Sequence, residues 1–164
     1  LTPGGSVNYI ENLTEGIGTR YFIKGRPGTG KSSIMKKLAA RANDCGVEAE
    51  VYHCSFDTDS LDMVILPSLD ICIFDSTAPH EIFPSRSGDI ILDVYDAAVK
   101  PGTDEDNADT ISEISKEYDA PIERVKILLA EIHSLHDELE SYYIKAVDFG
   151  MIDGITKRLI NNIR

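Results

Sequence analysis

Eight consecutive residues, Gly25-Arg26-Pro27-Gly28-Thr29-Gly30-Lys31-Ser32, place two glycines, a lysine and a hydroxyl at the spacing G-x-x-x-x-G-K-[ST]. The chemistry this spacing performs is the holding of a phosphate chain. A loop that wraps an anion must aim its N–H groups inward, and glycine permits the backbone angles and the close approach. Pro27 has no N–H, so donation falls to Gly28, Thr29, Gly30, Lys31, Ser32 and Ser33. The helix expected from Lys31 adds its free N–H groups and the positive end of its dipole. The whole loop from Gly25 to Ser33, Pro27 included, is therefore the expected phosphate site. Lys31 is placed to neutralise the β- and γ-phosphates. Ser32 is placed to ligate Mg²⁺, an ion that keeps several waters and takes few protein ligands. An accidental match over a chain of this length is of the order of 1%. No guanine-reading N-K-x-D motif is present, which tilts the expected nucleotide to ATP.

A second acid is needed to hold the metal or its water. Asp75 ends the apolar run Ile71-Cys72-Ile73-Phe74, the form of a strand carrying a metal-site carboxylate at its end. A turn or helix-capping Asp is the plainer alternative. The next residue is Ser76, not the Glu that orients water in fast hydrolytic machines, and this favours a slow switch or a transferase. His80 and Glu81 could complete the site, or be ordinary loop residues. His53, Asp57, Asp59 and Asp62 follow a second strand. There Asp57 or Asp59 could face an acceptor, or all could belong to a polar turn. Arg86 could stabilise transferred phosphate or be a surface arginine. No Ser-His-Asp arrangement or metal-cluster spacing is seen elsewhere.

These residues need elements to position them. Val7–Ile10 reads as a short strand, Glu11–Glu15 as one helical turn, and Tyr21–Ile23 as a strand before the loop. A helix follows from Lys31, with Ile34, Met35, Leu38, Ala39 and Ala42 on one side, and stops at Gly46. Val47–His53 alternates as a strand, Met63–Leu66 is a short apolar run, and Asp70–Asp75 is a buried strand. Ile90–Val99 reads as a helix. Residues 102–109 read as an acidic linker. Thr110 with Glu113 has capping-box spacing for a new helix. Pro121 reads as the first turn of another, over about 121–149, and Asp153 as the cap of a last helix, 154–163. Within the long helix Val125, Leu128, Ile132, Leu135, Leu139, Tyr142, Ala146 and Phe149 form a heptad seam, which reads as packing on the rest of the domain or else as a projecting helical hairpin or a dimerising coiled coil. The expected organisation is a nucleotide-binding core over 1–101 and a helical extension over 102–164.

Composition bounds the class. The chain has 164 residues, 42% hydrophobic and 27% charged, enough for one domain with a sizeable core. The net charge of −12 disfavours a nucleic-acid backbone or an anionic membrane as partner. No apolar run approaches the ~20 residues of a membrane span, and no signal-peptide pattern is seen. Cys45, Cys54 and Cys72 show no paired spacing and read as reduced thiols of a cytoplasmic protein. Leu1 in place of an initiator Met reads as a processed or excised piece.

The loop places the chain, by resemblance, in the P-loop NTPase superfamily. A narrower resemblance runs from residue 2 to about residue 95. It is carried by Thr2-Pro3-Gly4-Gly5, Glu11-Asn12-Leu13-Thr14-Glu15-Gly16, Lys24 to Ser32, His53-Cys54-Ser55-Phe56-Asp57, Asp59-Ser60-Leu61-Asp62 and Phe74-Asp75-Ser76-Thr77-Ala78-Pro79-His80. These stretches resemble a little-characterised bacterial family of ATPase-like proteins with two tandem P-loop halves, some described as nucleotide kinases. The chain is similar to one half, the second. The resemblance implies an α/β three-layer fold with a mostly parallel sheet, and nucleotide binding without a named reaction. Three or four strands are legible where about five are expected, so strands are hidden or part of the fold is missing. Three functions follow as expectations. One is slow, Mg²⁺-dependent ATP hydrolysis acting as a switch, and another is a nucleotide or small-molecule kinase. The third is an interaction module with a structural nucleotide, whose seam pairs with a second copy or a second P-loop half.

Overall fold

A computed structural model describes residues 2–5, 7–78 and 81–163. The chain divides into two compact units, Gly5–Asp119 and Thr2–Gly4 with Ala120–Arg164. The division lies later than the expected boundary at 101. The cause is local: Arg26 Nε donates to Asp104 Oδ2 at 2.9 Å and Asp104 N donates to the Tyr95 hydroxyl at 3.2 Å, binding the supposed linker to the first unit.

The first unit is an α/β body. Helix α1 (Ile10–Leu13) precedes strand β1 (Thr19–Lys24), helix α2 (Lys31–Asp44) and strands β2 (Glu50–His53), β3 (Leu61–Leu66) and β4 (Ile71–Asp75). Strand β5 (Asp89–Asp93) and helices α3 (Val94–Ala98) and α4 (Thr103–Asp106) follow. The five strands form one sheet in the order β2-β3-β4-β1-β5. Strand β1 is parallel to both β4 and β5, while β3 is antiparallel to both β2 and β4.

The sheet is thus mixed, and the expectation of a mostly parallel one is corrected. The reason is connection length. Residues 54–60 and a 3-10 turn at Pro67–Leu69 are too short for a crossover and can only make hairpins. Asp70 closes the second hairpin in the left-handed region, φ 59°, and its carboxylate accepts the Gly18 N–H at 2.7 Å. The fifth strand is Asp89–Asp93, a segment expected to begin a helix. Its run Ile90-Ile91-Leu92 has no period by itself, and only pairing with β1 makes it a strand.

Alternation along the strands divides the core. Tyr21, Ile23, Val64, Leu66 and Ile73 lie on the face covered by α2, through Met35, Leu38, Ala39 and Ala42. Phe22, Met63, Ile65, Cys72 and Phe74 lie on the other, covered by Ile10, Ile17 and Ile82. Residues 7–9, expected as a strand, are irregular and lead into α1.

Helix α5 (Ala108–Ile144) contains Pro121 and is continuous through it, so the expected break there is absent. Proline removes one backbone donor, and the helical turns on either side of it keep theirs. The chain leaves the helix at Ile144. Asp148 then caps helix α6 (Phe149–Asn162), its side chain accepting the Met151 N–H at 3.1 Å. Asp153, the expected cap, lies inside this helix. No residue described in the second unit is buried. Among the described residues, no helix is long and apolar enough to cross a membrane.

Candidate functional site

The parallel pairing sets the site. Ile23 lies opposite Asp75 and Lys24 opposite Asp93, so β1, β4 and β5 end at one edge of the sheet. The glycine loop leaves β1 at that edge and turns into α2. Gly28 and Gly30 have φ of 81° and 93°, values that L side chains rarely adopt. Gly30 is the N-cap of α2 and offers no side-chain cap. Among the described residues, the N–H groups of Gly28, Gly30, Lys31, Ser32 and Ser33 have no protein acceptor. The loop's internal bonds are the Thr29 N–H and hydroxyl on the Arg26 carbonyl, at 3.3 and 2.8 Å. Five open donors at a helix N-terminus form a concavity for an anion.

Lys31 is buried, with its ammonium at the base of the loop. It donates to the carbonyls of Gly25 at 2.8 Å and Arg26 at 3.0 Å, and lies 3.6 Å from Asp75 Oδ2. Asp75 Oδ1 accepts from the Thr77 N–H at 3.0 Å and from the Thr77 hydroxyl, which orients the other oxygen toward Lys31. Ser32 Oγ accepts the Leu61 N–H at 2.9 Å. Neither Thr77 nor Leu61 is among the residues expected to act here. The Asp-x-Thr spacing is a turn signal that could have shown the first. The second depends on where β3 begins and has no local signal.

A cleft of about 480 Å³ joins these groups, lined by Gly28, Lys31, Ser32 and Asp75 together with Cys54, Phe56, Asp57 and Asp62. Asp57 thus reaches the cleft, yet its carboxylate is engaged in its own turn. Oδ1 accepts from Asp59 N at 3.0 Å and Oδ2 from the Ser60 hydroxyl at 2.6 Å, and these bonds, the hydroxyl's first, lower its pKa. His53 Nδ1 lies 2.6 Å from the Thr58 carbonyl in the same turn. Asp59 does not line the cleft.

Arg86 is elsewhere. Its guanidinium donates to the Thr14 carbonyl at 3.0 Å and pairs with Glu11. Glu81 lies 3.3 Å from Lys24 Nζ. His80 lies outside the described residues. Ser76 is fully buried, its hydroxyl donating to the Ile82 carbonyl at 2.5 Å.

A charged residue with no distinguishing signal in the sequence lies under the sheet. Arg20 is fully buried and grips Asp89 in a fork, Nε to Oδ1 at 2.7 Å and a terminal nitrogen to Oδ2 at 2.8 Å. It also donates to Glu11 Oε1 at 2.8 Å and Thr14 Oγ1 at 3.2 Å. These bonds, the Asp89 pair first, raise the pKa of Arg20 and hold Asp89 far below the usual carboxylate range. The network ties α1 and β5 to β1 and is structural. On α5, His136, Asp137 and Glu140 bring ligand atoms within 4.8 Å, a grouping not among the expected sites. All three are exposed, and His136 pairs along the helix with Glu140 at 3.4 Å.

In comparison with known proteins, no family model matches the chain, and no curated protein or solved structure matches it.

Proposed function

We propose that this chain binds ATP with Mg²⁺ at the loop Gly25–Ser33, in a P-loop NTPase type of fold, and hydrolyses it slowly as a switch. The observation that carries the reading is convergence. Five open N–H groups, the Lys31 ammonium and the Asp75 carboxylate meet at one edge of the sheet. An anion with its counter-cation matches this set better than either alone, because Lys31 and the N–H groups attract phosphate while Asp75 does not.

The residues fit Mg²⁺. Ser32 Oγ accepts one N–H and retains a second lone pair. Asp75 Oδ2 is the carboxylate oxygen that Thr77 leaves open. Ser32 and Asp75 would hold the ion, the latter directly or through water, which suits an ion that keeps most of its waters. When bound, the ion neutralises charge on the phosphates. Slow turnover follows from Ser76, buried and bonded to a carbonyl where a water-orienting acid would otherwise stand. Hydrolysis is favoured over a kinase because the bonds of Asp57 to Asp59 N and Ser60 hold its carboxylate in its own turn and make it a weaker base for an acceptor hydroxyl.

Calorimetric titration with ATP, GTP and non-hydrolysable ATP, with and without Mg²⁺, tests the reading on wild type and Lys31→Ala. Mg²⁺-dependent binding, lost in the folded variant, is expected, with phosphate release that needs no acceptor. A folded wild-type chain that binds none of them would sink it.

The seam carries a second reading, as an interaction surface. Leu128, Ile132, Leu135 and Leu139 are 46–61% exposed. A helix face with this much apolar surface and heptad spacing suits pairing with a second copy or with a second P-loop half. Sedimentation of wild type and the Leu135→Asp/Leu139→Asp variant tests the first partner. A concentration-independent monomer in both would leave no self-association to explain.

A further inference from the structure

We propose that the apolar cavity on the other side of the glycine loop takes the base of the nucleotide. The proposal rests on the reading of Gly25–Ser33 as a phosphate site and deepens it.

The cavity measures about 730 Å³, within the usual range for small-molecule sites. It shares Pro27 and Gly28 with the phosphate cleft, so the two spaces flank one stretch of loop. Their linings differ in chemistry. The phosphate cleft holds Lys31, Ser32, Ser33 and Asp75, whereas this cavity is walled by Tyr95, Ala98, Val99, Ile111 and Ile114. Ile111 and Ile114 are 43% and 59% exposed, an apolar wall open to solvent. A nucleoside triphosphate has the same division, a flat base joined to a polyanion.

A third cavity of about 500 Å³ also borders the loop, and it is a poorer place for the base. It shares Tyr95 and Asp104 with the apolar cavity, but Glu81 and Asp93 line it as well, and it has no aliphatic wall like that of Ile111 and Ile114. The apolar cavity is left as the site.

Tyr95 is positioned to serve as a stacking surface. Its hydroxyl accepts the Asp104 N–H at 3.2 Å, and the Arg26 guanidinium lies 5.9 Å from its ring centre. Both contacts fix the ring beside the cavity. Arg26 also holds Asp104 at the cavity's rim, through Nε at 2.9 Å and through a terminal nitrogen on the same oxygen.

The test is calorimetry with Mg²⁺ on the full chain, using ATP and inorganic tripolyphosphate as probes. The variants are Tyr95→Ala and, on the exposed wall where folding is not at stake, Ile114→Asp. ATP is expected to bind wild type more tightly than tripolyphosphate. Each variant should weaken ATP by about 10-fold or more, the scale of one lost base–aromatic contact, and leave tripolyphosphate unchanged. ATP affinity unchanged in both folded variants would overturn the base site while tripolyphosphate binding upheld the phosphate site. Failure of wild type to bind either ATP or tripolyphosphate would overturn the phosphate reading, and this inference with it.

Discussion

Lys31 Nζ lies 3.6 Å from Asp75 Oδ2 because β1 and β4 are parallel neighbours that end together. In this arrangement the ammonium has three oxygen neighbours, two carbonyls and the carboxylate. Lys31→Ala removes the charge and leaves Asp75 without its cation. Charge-assisted hydrogen bonds are worth about 1.5–3 kcal/mol, so ATP binding is expected to weaken by roughly 10–100-fold. Titration of the folded variant measures it. Asp75→Asn is expected to act differently, lowering the Mg²⁺ dependence of binding more than binding without metal. Equal losses with and without Mg²⁺ would show that Asp75 does not serve the ion.

The Arg20–Asp89 pair predicts acid sensitivity. Asp89 has its pKa held well below the ordinary carboxylate range, first by the Arg20 hydrogen bond. A depressed folded pKa gives stability that is fully present above the unfolded value, about 3.9, and lost as pH falls toward the folded value. Stability should therefore be insensitive to this group from pH 7 to about pH 5 and decline below about pH 4. Glu11, lowered chiefly by its bond to Arg20, acts in the same direction. Asp89→Asn should flatten the acid limb. It should also destabilise the fold, by up to about 3–5 kcal/mol, the cost of removing one partner from a buried ion pair, with Glu11 left as the remaining anion of Arg20. Urea denaturation at a series of pH values measures both, and an unchanged acid limb would remove Asp89 as its cause.

The three thiols should react in a definite order. Cys45 is exposed, Cys54 is partly exposed on the cleft wall, and Cys72 is buried with its thiol pushed up to about 11 by burial. At pH 8 iodoacetamide should modify Cys45 first and Cys72 only after unfolding. Mg²⁺ with ATP should slow Cys54 and leave Cys45 unaffected. Peptide mapping by mass spectrometry gives the order, and equal protection of Cys45 and Cys54 would disconnect Cys54 from the nucleotide.

Gly88 marks a close approach of backbones. A Cβ there would lie 1.8 Å from the Gly18 carbonyl oxygen, and the Gly88 carbonyl accepts the Arg20 N–H at 3.0 Å. Gly88→Ala must separate the start of β5 from β1. A loss of roughly 1–3 kcal/mol is expected, the usual cost of overpacking. Thermal unfolding measures it, and a wild-type midpoint would mean that the backbone yields freely.

The sequence by itself determined the loop, the strand before it, the helix after it and the acid at the end of β4. Each has a local cause: glycine at positive φ, a missing proline N–H, a 3.6-residue apolar period, an apolar run closed by a charge. The seam on α5 was legible for the same reason from Val125 to Tyr142, while Ala146 and Phe149 fall beyond the helix's end at Ile144. Strand direction was not, because hairpin or crossover depends on how a short connection closes, and Ile90–Leu92 has the same composition in a helix or a strand. Asp57 and Asp75 read alike as acids after strands. The bonds of Asp57 to Asp59 and Ser60 are local, those of the polar turn, whereas only the pairing of β1 with β4 brings an oxygen of Asp75 beside Lys31. Tertiary structure also buried Arg20, placed Arg86 beside α1, and set Tyr95 beside the loop. Those outcomes depend on groups far apart in the chain meeting at one sheet, and no local period or spacing encodes such a meeting.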